Sequence, residues 1–100
     1  MWRRALQRIW PSRHFADQWR ERVGGDVPSP DTLSRLIRES VFCQKQRDLF
    51  TPRGVRYRVL AVYWHPERDL VIKVDESACL AVTVLTPETR QHQIQVVRAG

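Results

Sequence analysis

The stretch VRYRVLAVYWHPERDLVIKVDESACLAVTVLT, residues 55–86, decides the fold. Three apolar-rich runs are separated by two polar turns, at 65–68 and 76–78. Val, Ile, Tyr and Thr dominate the runs, and β-branched and aromatic side chains fit a pleated surface. The reading is an antiparallel meander. Its alternation puts Tyr57, Val59, Ala61 and Tyr63 on one face and Arg56, Arg58, Leu60, Val62 and Trp64 on the other. In the second run Leu70, Ile72 and Val74 oppose Val71, Lys73 and Asp75. In the third, Leu80, Val82 and Val84 oppose Ala81, Thr83 and Leu85. A loop at 65–68 pairs Tyr63 with Leu70 and Ala61 with Ile72, which keeps each face consistent. One face is apolar. The other gathers Arg56, Arg58, Lys73 and Thr83.

Upstream, the pattern changes to helix. MWRRALQRIW (1–10) places Trp2, Leu6, Ile9 and Trp10 on one stripe with arginines beside it, a short basic amphipathic helix suited to docking. Pro11 interrupts it. Ser12 caps a second helix whose stripe is Phe15, Trp19 and Val23, ended by Gly24 and Gly25. Ser29, Pro30 and Asp31 give the third helix its N-cap, first residue and dipole-complementing acid. Its buried stripe is Leu33, Leu36, Ile37 and Val41, and it fades near 43–46. A first strand is expected from Arg47 to Thr51, with a turn at Pro52-Arg53-Gly54. The fold class is α+β: N-terminal helices packed on one face of a curved antiparallel sheet of about four strands. Residues 1–11 form the basic segment, 12–86 the domain, and 87–100 a short last strand or a tail.

One hundred residues support a single core. No apolar run approaches the ~20 residues that span a bilayer, and the N-terminus lacks the pattern of a signal peptide. Cys43 and Cys79 have no metal-ligand spacing and read as reduced cytosolic thiols. His14, His65 and His92 are too scattered to form a ligand set, so no metal or cofactor is expected. The charge is more telling: net +6, with 15 arginines among 17 cations. Residues 1–22 hold six arginines against Asp17 and Glu21. Arginine's planar fork suits phosphate, so this surplus is compatible with nucleic acid, or with nothing more than a solvated cationic surface.

The chemistry-bearing candidates are few. His14 and Arg22 are a little over two turns apart, on nearly one helix face with Gln18 between them. A histidine there could move a proton near neutral pH, or it could be a polar residue beside a cap. Lys73 and Thr83 fall on adjacent strands, a phosphate clamp or a solvated lysine beside a β-forming threonine. Arg58 is expected to face Asp75 as a surface ion pair. Arg53, beside Gly54, could reach a phosphate backbone. Trp64 could stack a base, although an edge tryptophan more often covers a core. There is no Gly-rich phosphate loop, GxSxG or HExxH motif.

The string His14-Phe15-Ala16-Asp17-Gln18-Trp19-Arg20-Glu21-Arg22 resembles the HAxxRxxxR helix of small prokaryotic domains in the barnase/RelE-like (BECR) ribonuclease superfamily. The later strands DLVIKVD and AVTVLT look like that superfamily's strand pair, the second carrying a central Thr or Ser. The resemblance spans about residues 12–86. It implies a toxin-like endoribonuclease cleaving RNA without metal, often neutralised by an antitoxin protein. His14, Arg22 and Thr83 match pattern positions, Lys73 matches by strand and face, and Gln18 stands where the pattern has an arginine. The implied catalytic set is His14, Arg22, Lys73 and Thr83, with Arg53, Arg56 and Arg58 binding nucleic acid. Two other readings stand beside it: a non-catalytic nucleic-acid-binding module, and a protein-interaction domain docking through its Trp-rich N-terminus.

Overall fold

The computed structural model describes residues 8–50 and 56–89, apart from the side chains of residues 49, 50 and 56. The described chain is α+β. Strand β1 (Trp10–Pro11) leads into helix α1 (Arg13–Gln18), which continues as a wider π-helical turn (Trp19–Val23). Helix α2 (Pro30–Arg38) follows, and then strands β2 (Val41–Phe50), β3 (Arg56–His65), β4 (Leu70–Asp75) and β5 (Leu80–Leu85).

Local chemistry sets the helix ends. The Ser12 hydroxyl accepts the Phe15 N–H at 3.1 Å, and that of Ser29 accepts the Thr32 N–H at 3.2 Å. Each satisfies a donor that a helix start leaves orphaned. Gly24, at φ +90° and ψ 162°, ends the π-turn in a region open almost only to glycine.

The sheet is open and mixed, ordered β1-β5-β4-β3-β2. The expected four-strand meander is its antiparallel part. A fifth strand, β1, lies parallel to β5 through Trp10↔Leu80 and Pro11↔Ala81. Residues 1–7 of the expected N-terminal helix lie outside the described residues, and its last residues are extended instead. Ile9 is fully buried, and its N–H donates to the Ser34 hydroxyl of α2 at 2.8 Å. That anchor and the β1 pairing replace the amphipathic stripe expected there.

The main core lies between the helices and one sheet face. Phe15, Trp19, Leu33, Leu36 and Ile37 pack against Ala61, Tyr63, Leu70, Ile72, Val74, Ala81 and Val84. Val62, Val71 and Leu85 form a smaller buried cluster on the other face.

Two registers and one helix end differ from expectation. Strand β3 runs to His65, so Tyr63 opposes Ile72 and His65 opposes Leu70. The turn is displaced because Asp69 takes φ +52° and the His65 Nδ1 accepts the Arg68 N–H. The two-residue shift keeps every side chain on its expected face. In β5 a bulge leaves Val82 unpaired, because Thr83 opposes Lys73 while Ala81 opposes Val74. Ala81 and Val84 therefore both reach the core, and the simple alternation fails there. Helix α2 ends at Arg38, before the expected 43–46, and Val41 stands half-exposed in β2. Pairing of Val41 with Trp64 and of Phe42 with Tyr63 outweighs helical periodicity at those two residues. Among residues 87–100, only 87–89 are described, as a helical turn.

Candidate functional site

The N-terminal segment closes one edge of the sheet, and His14 and Arg22 stand there with Gln18. The Cys79 carbonyl accepts the Trp10 N–H at 2.9 Å, and the Ala81 carbonyl accepts the Ser12 N–H at 3.0 Å. Beyond Ser12 the backbone turns into α1 and can no longer pair. Two side chains of that helix then take over. Gln18 Oε1 accepts the Val84 N–H at 3.0 Å, and Arg22 Nη1 donates to the Val84 carbonyl at 2.7 Å. Both polar groups of one edge residue are thereby satisfied without a neighbouring strand.

This pairing fixes the amide of Gln18. With Oε1 on the Val84 N–H, its NH2 group faces the His14 Nε2 at 2.8 Å. An amide NH2 only donates, so His14 Nε2 is the acceptor and the ring proton sits on Nδ1. His14 itself is exposed. The residue standing in place of the pattern's arginine thus links the sheet edge to the histidine.

Lys73 and Thr83 are directly opposite one another. Lys73 also opposes Val62, which places all three on the face turned away from α1 and α2. Both are half-buried. Thr83 adjoins Val84 in the chain, but its side chain and that of Lys73 stand across the sheet from the helix that carries His14, Gln18 and Arg22. Trp64 shares their face, diagonal to Lys73 across the β3–β4 pair, and is 37% exposed. Its indole N–H donates to Asp69 Oδ1 at 2.8 Å, which fixes the ring.

Of the arginines expected to bind nucleic acid, Arg58 alone has a described side chain. Arg58 pairs with Asp48 at 2.8 Å, and not with Asp75. Asp48 is its direct neighbour on β2, a strand expected to begin only at Arg47. Arg53 lies outside the described residues, and Arg56 stands in β3 with its side chain outside them.

Two further pairs of titratable groups are tied into the scaffold. His65 is buried and its Nε2 lies 3.0 Å from Glu39 Oε1. Because Nδ1 accepts the Arg68 N–H, Nε2 is the donor. That hydrogen bond, helped by the charges of Arg35 and Arg38, holds the Glu39 carboxyl below its ordinary range. Burial, and then a 2.7 Å bond to the Glu76 carboxylate, pushes the Tyr63 phenol well above its ordinary value. Neither pair was legible from spacing, since each joins residues distant in sequence.

Among the described residues no three of His, Cys, Asp and Glu come together as a metal-ligand set. No helix among them is long and apolar enough to cross a membrane. No family model matches the chain, and no curated protein or solved structure does.

Proposed function

We propose that this domain cleaves RNA through the ribose 2′-hydroxyl, in the manner of a toxin-like endoribonuclease, at the margin where α1 meets β5. The observation that carries the reading is the anchoring of His14 and Arg22 at Val84. Arg22 and the Gln18–His14 link are held on its backbone, while the Lys73–Thr83 pair lies across the sheet from them.

The chemistry follows from those groups. The unprotonated His14 Nε2 accepts the proton of the 2′-hydroxyl as the oxygen attacks the adjacent phosphorus. The bond from phosphorus to the 5′-oxygen breaks, leaving a 2′,3′-cyclic phosphate. The departing 5′-oxygen takes a proton from water. A guanidinium carries five N–H donors, and the Val84 carbonyl occupies one. Arg22 supplies positive charge to the crowded phosphorane, and Lys73 and Thr83, on the other sheet face, hold a neighbouring phosphate of the strand. The fixed Trp64 ring, on the face of Lys73, offers a platform for a neighbouring base.

Incubation of the protein with a mixed single-stranded RNA pool in the presence of a chelator tests the reading. Cleavage by the parent that is lost in His14→Ala and in Lys73→Met supports it. Salt-sensitive binding without cleavage in all three forms would replace it with a binding module on the same surface.

A further inference from the structure

The two edges of the sheet are treated differently. Strand β5 is closed by β1, by the backbone of Ser12 and by the side chains of Gln18 and Arg22. Strand β2 is ten residues long, and among the described residues nothing pairs with its outer edge. Its hydrogen-bonding groups alternate inward and outward, so an outward row remains for another chain. Val41 and Phe42, at one end, are 51% and 50% exposed.

The register of β2 tells what would fit. Phe42, Lys45 and Arg47 oppose Tyr63, Ala61 and Val59, which puts them on the helix side of the sheet. Lys45 and Arg47 are exposed, and Arg47 lies over the Tyr57 ring at 5.4 Å. Tyr57 and Val59 are themselves exposed, because the helices cover only the other part of this face. A cavity of about 470 Å³ opens there, lined by Lys45, Tyr57, Val59 and Ala61 among others. On the opposite face β2 presents Gln44 and Gln46, which are neutral, and Asp48, whose charge is paired with Arg58 at 2.8 Å. A strand added to this edge meets two cations at alternate positions and then a phenyl ring.

A second copy of the chain is a poor match. Antiparallel pairing about a two-fold axis centred on Gln46 sets Lys45 against Arg47 of the other copy, and centring on either cation sets it against itself. Like charges directly opposed are destabilising, so the edge disfavours self-association in these central registers while remaining open to acids.

We infer that β2 is a docking edge for an extended, acidic segment of a partner protein, which joins the sheet as a further strand. Its acids at alternate positions lie beside Lys45 and Arg47, and an apolar residue lies beside Phe42. Main-chain bonds supply the affinity and the alternate side chains the selectivity. This inference does not depend on the RNA reading.

The test uses the full chain and a capped hexapeptide, Glu-Thr-Glu-Thr-Phe-Thr, with Lys-Thr-Lys-Thr-Phe-Thr as control. Amide exchange of residues 44–48 should slow with the acidic peptide and not with the basic one. The double variant Lys45→Glu/Arg47→Glu should bind the acidic peptide about tenfold more weakly or worse, as expected when two exposed attractions become repulsions. The same variant should gain affinity for the basic peptide, which a merely unfolded protein would not do. Failure of the acidic peptide to protect 44–48, or equal binding by parent and variant, would overturn the inference. So would a parent dimer that the double variant dissociates, since the edge would then belong to a second copy.

Discussion

Gln18 holds the Val84 N–H on its side-chain oxygen at 3.0 Å, so a helix residue occupies the position that a neighbouring strand would take. Arg22, one turn on, does the same for the Val84 carbonyl. The helix is thus joined to the sheet at its edge as well as through Phe15 and Trp19 in the core. Arg22, singled out for chemistry, also holds the architecture.

Replacing Gln18 by Ala leaves the Val84 N–H, on a fully buried residue, without its acceptor. The expected loss is about 1–3 kcal/mol of folding stability, read from urea unfolding at neutral pH. Because Gln18 also sets the tautomer of His14, any RNA cleavage should fall in the folded fraction too. A variant as stable as the parent would show that α1 does not rely on this bond.

Gly24 tests the backbone alone. No atom lies within 4 Å of where a Cβ would stand, so Gly24→Ala meets no steric obstacle from its surroundings. Its φ of +90° with ψ of 162° should nevertheless cost about 1–3 kcal/mol. A neutral substitution, measured by the shift in the urea midpoint, would mean that the chain relaxes easily after Val23.

Tyr63 predicts an alkaline limit. Its phenol is held protonated in the folded state, above the ordinary value of 10.0, so its contribution is intact below that value. Stability should therefore decline as the pH rises past about 10, where the unfolded chain releases the proton first. In Tyr63→Phe this alkaline decline should flatten, while stability at pH 7 falls through loss of the Glu76 bond. An unchanged alkaline slope would contradict the assignment.

Glu39 predicts the acid counterpart. Its carboxyl is held below the ordinary value of 4.5 by the bond from His65, so the contribution is present above that value. It drains away as the pH falls below about 4.5 and the folded carboxylate takes up its proton. Urea midpoints collected from pH 7 down to pH 3 should fall less steeply in Glu39→Gln. Equal slopes would show that the His65–Glu39 pair has no energetic weight.

The residues that announced the fold were those whose periodicity is local. Phe15, Trp19, Leu33, Leu36 and Ile37 could be read as buried stripes, and Ile72, Val74 and Ala61 as one sheet face, without knowing their partners. Registers were less legible. A two-residue slip at Tyr63 satisfies the same alternation, and the bulge at Val82 depends on cross-strand packing that no spacing encodes. Strand β1 was hidden because Ile9 and Trp10 fit a helical stripe equally well, and only Ser34 and Leu80, far along the chain, select the extended form. In the candidate site, alternation placed Lys73 and Thr83 on adjacent strands, but their direct facing comes from the bulge at Val82. The attachment of Gln18 and Arg22 to Val84 did not, because a side chain closing a strand edge leaves no signature in sequence. Arg58 found Asp48 in place of Asp75 because the two-residue slip between β3 and β4 carries Asp75 away from its level, while β2 sets Asp48 directly opposite.

The most direct test of the central claim follows the ends of the RNA. A short single-stranded RNA labelled at its 5′ end is incubated with the protein and a chelator, beside the same strand carrying 2′-deoxyribose throughout. The account predicts fragments of the RNA ending in 2′,3′-cyclic phosphate, an intact deoxy strand, and no fragments from His14→Ala. Intact RNA in every lane, or equal cutting of the deoxy strand, would contradict it.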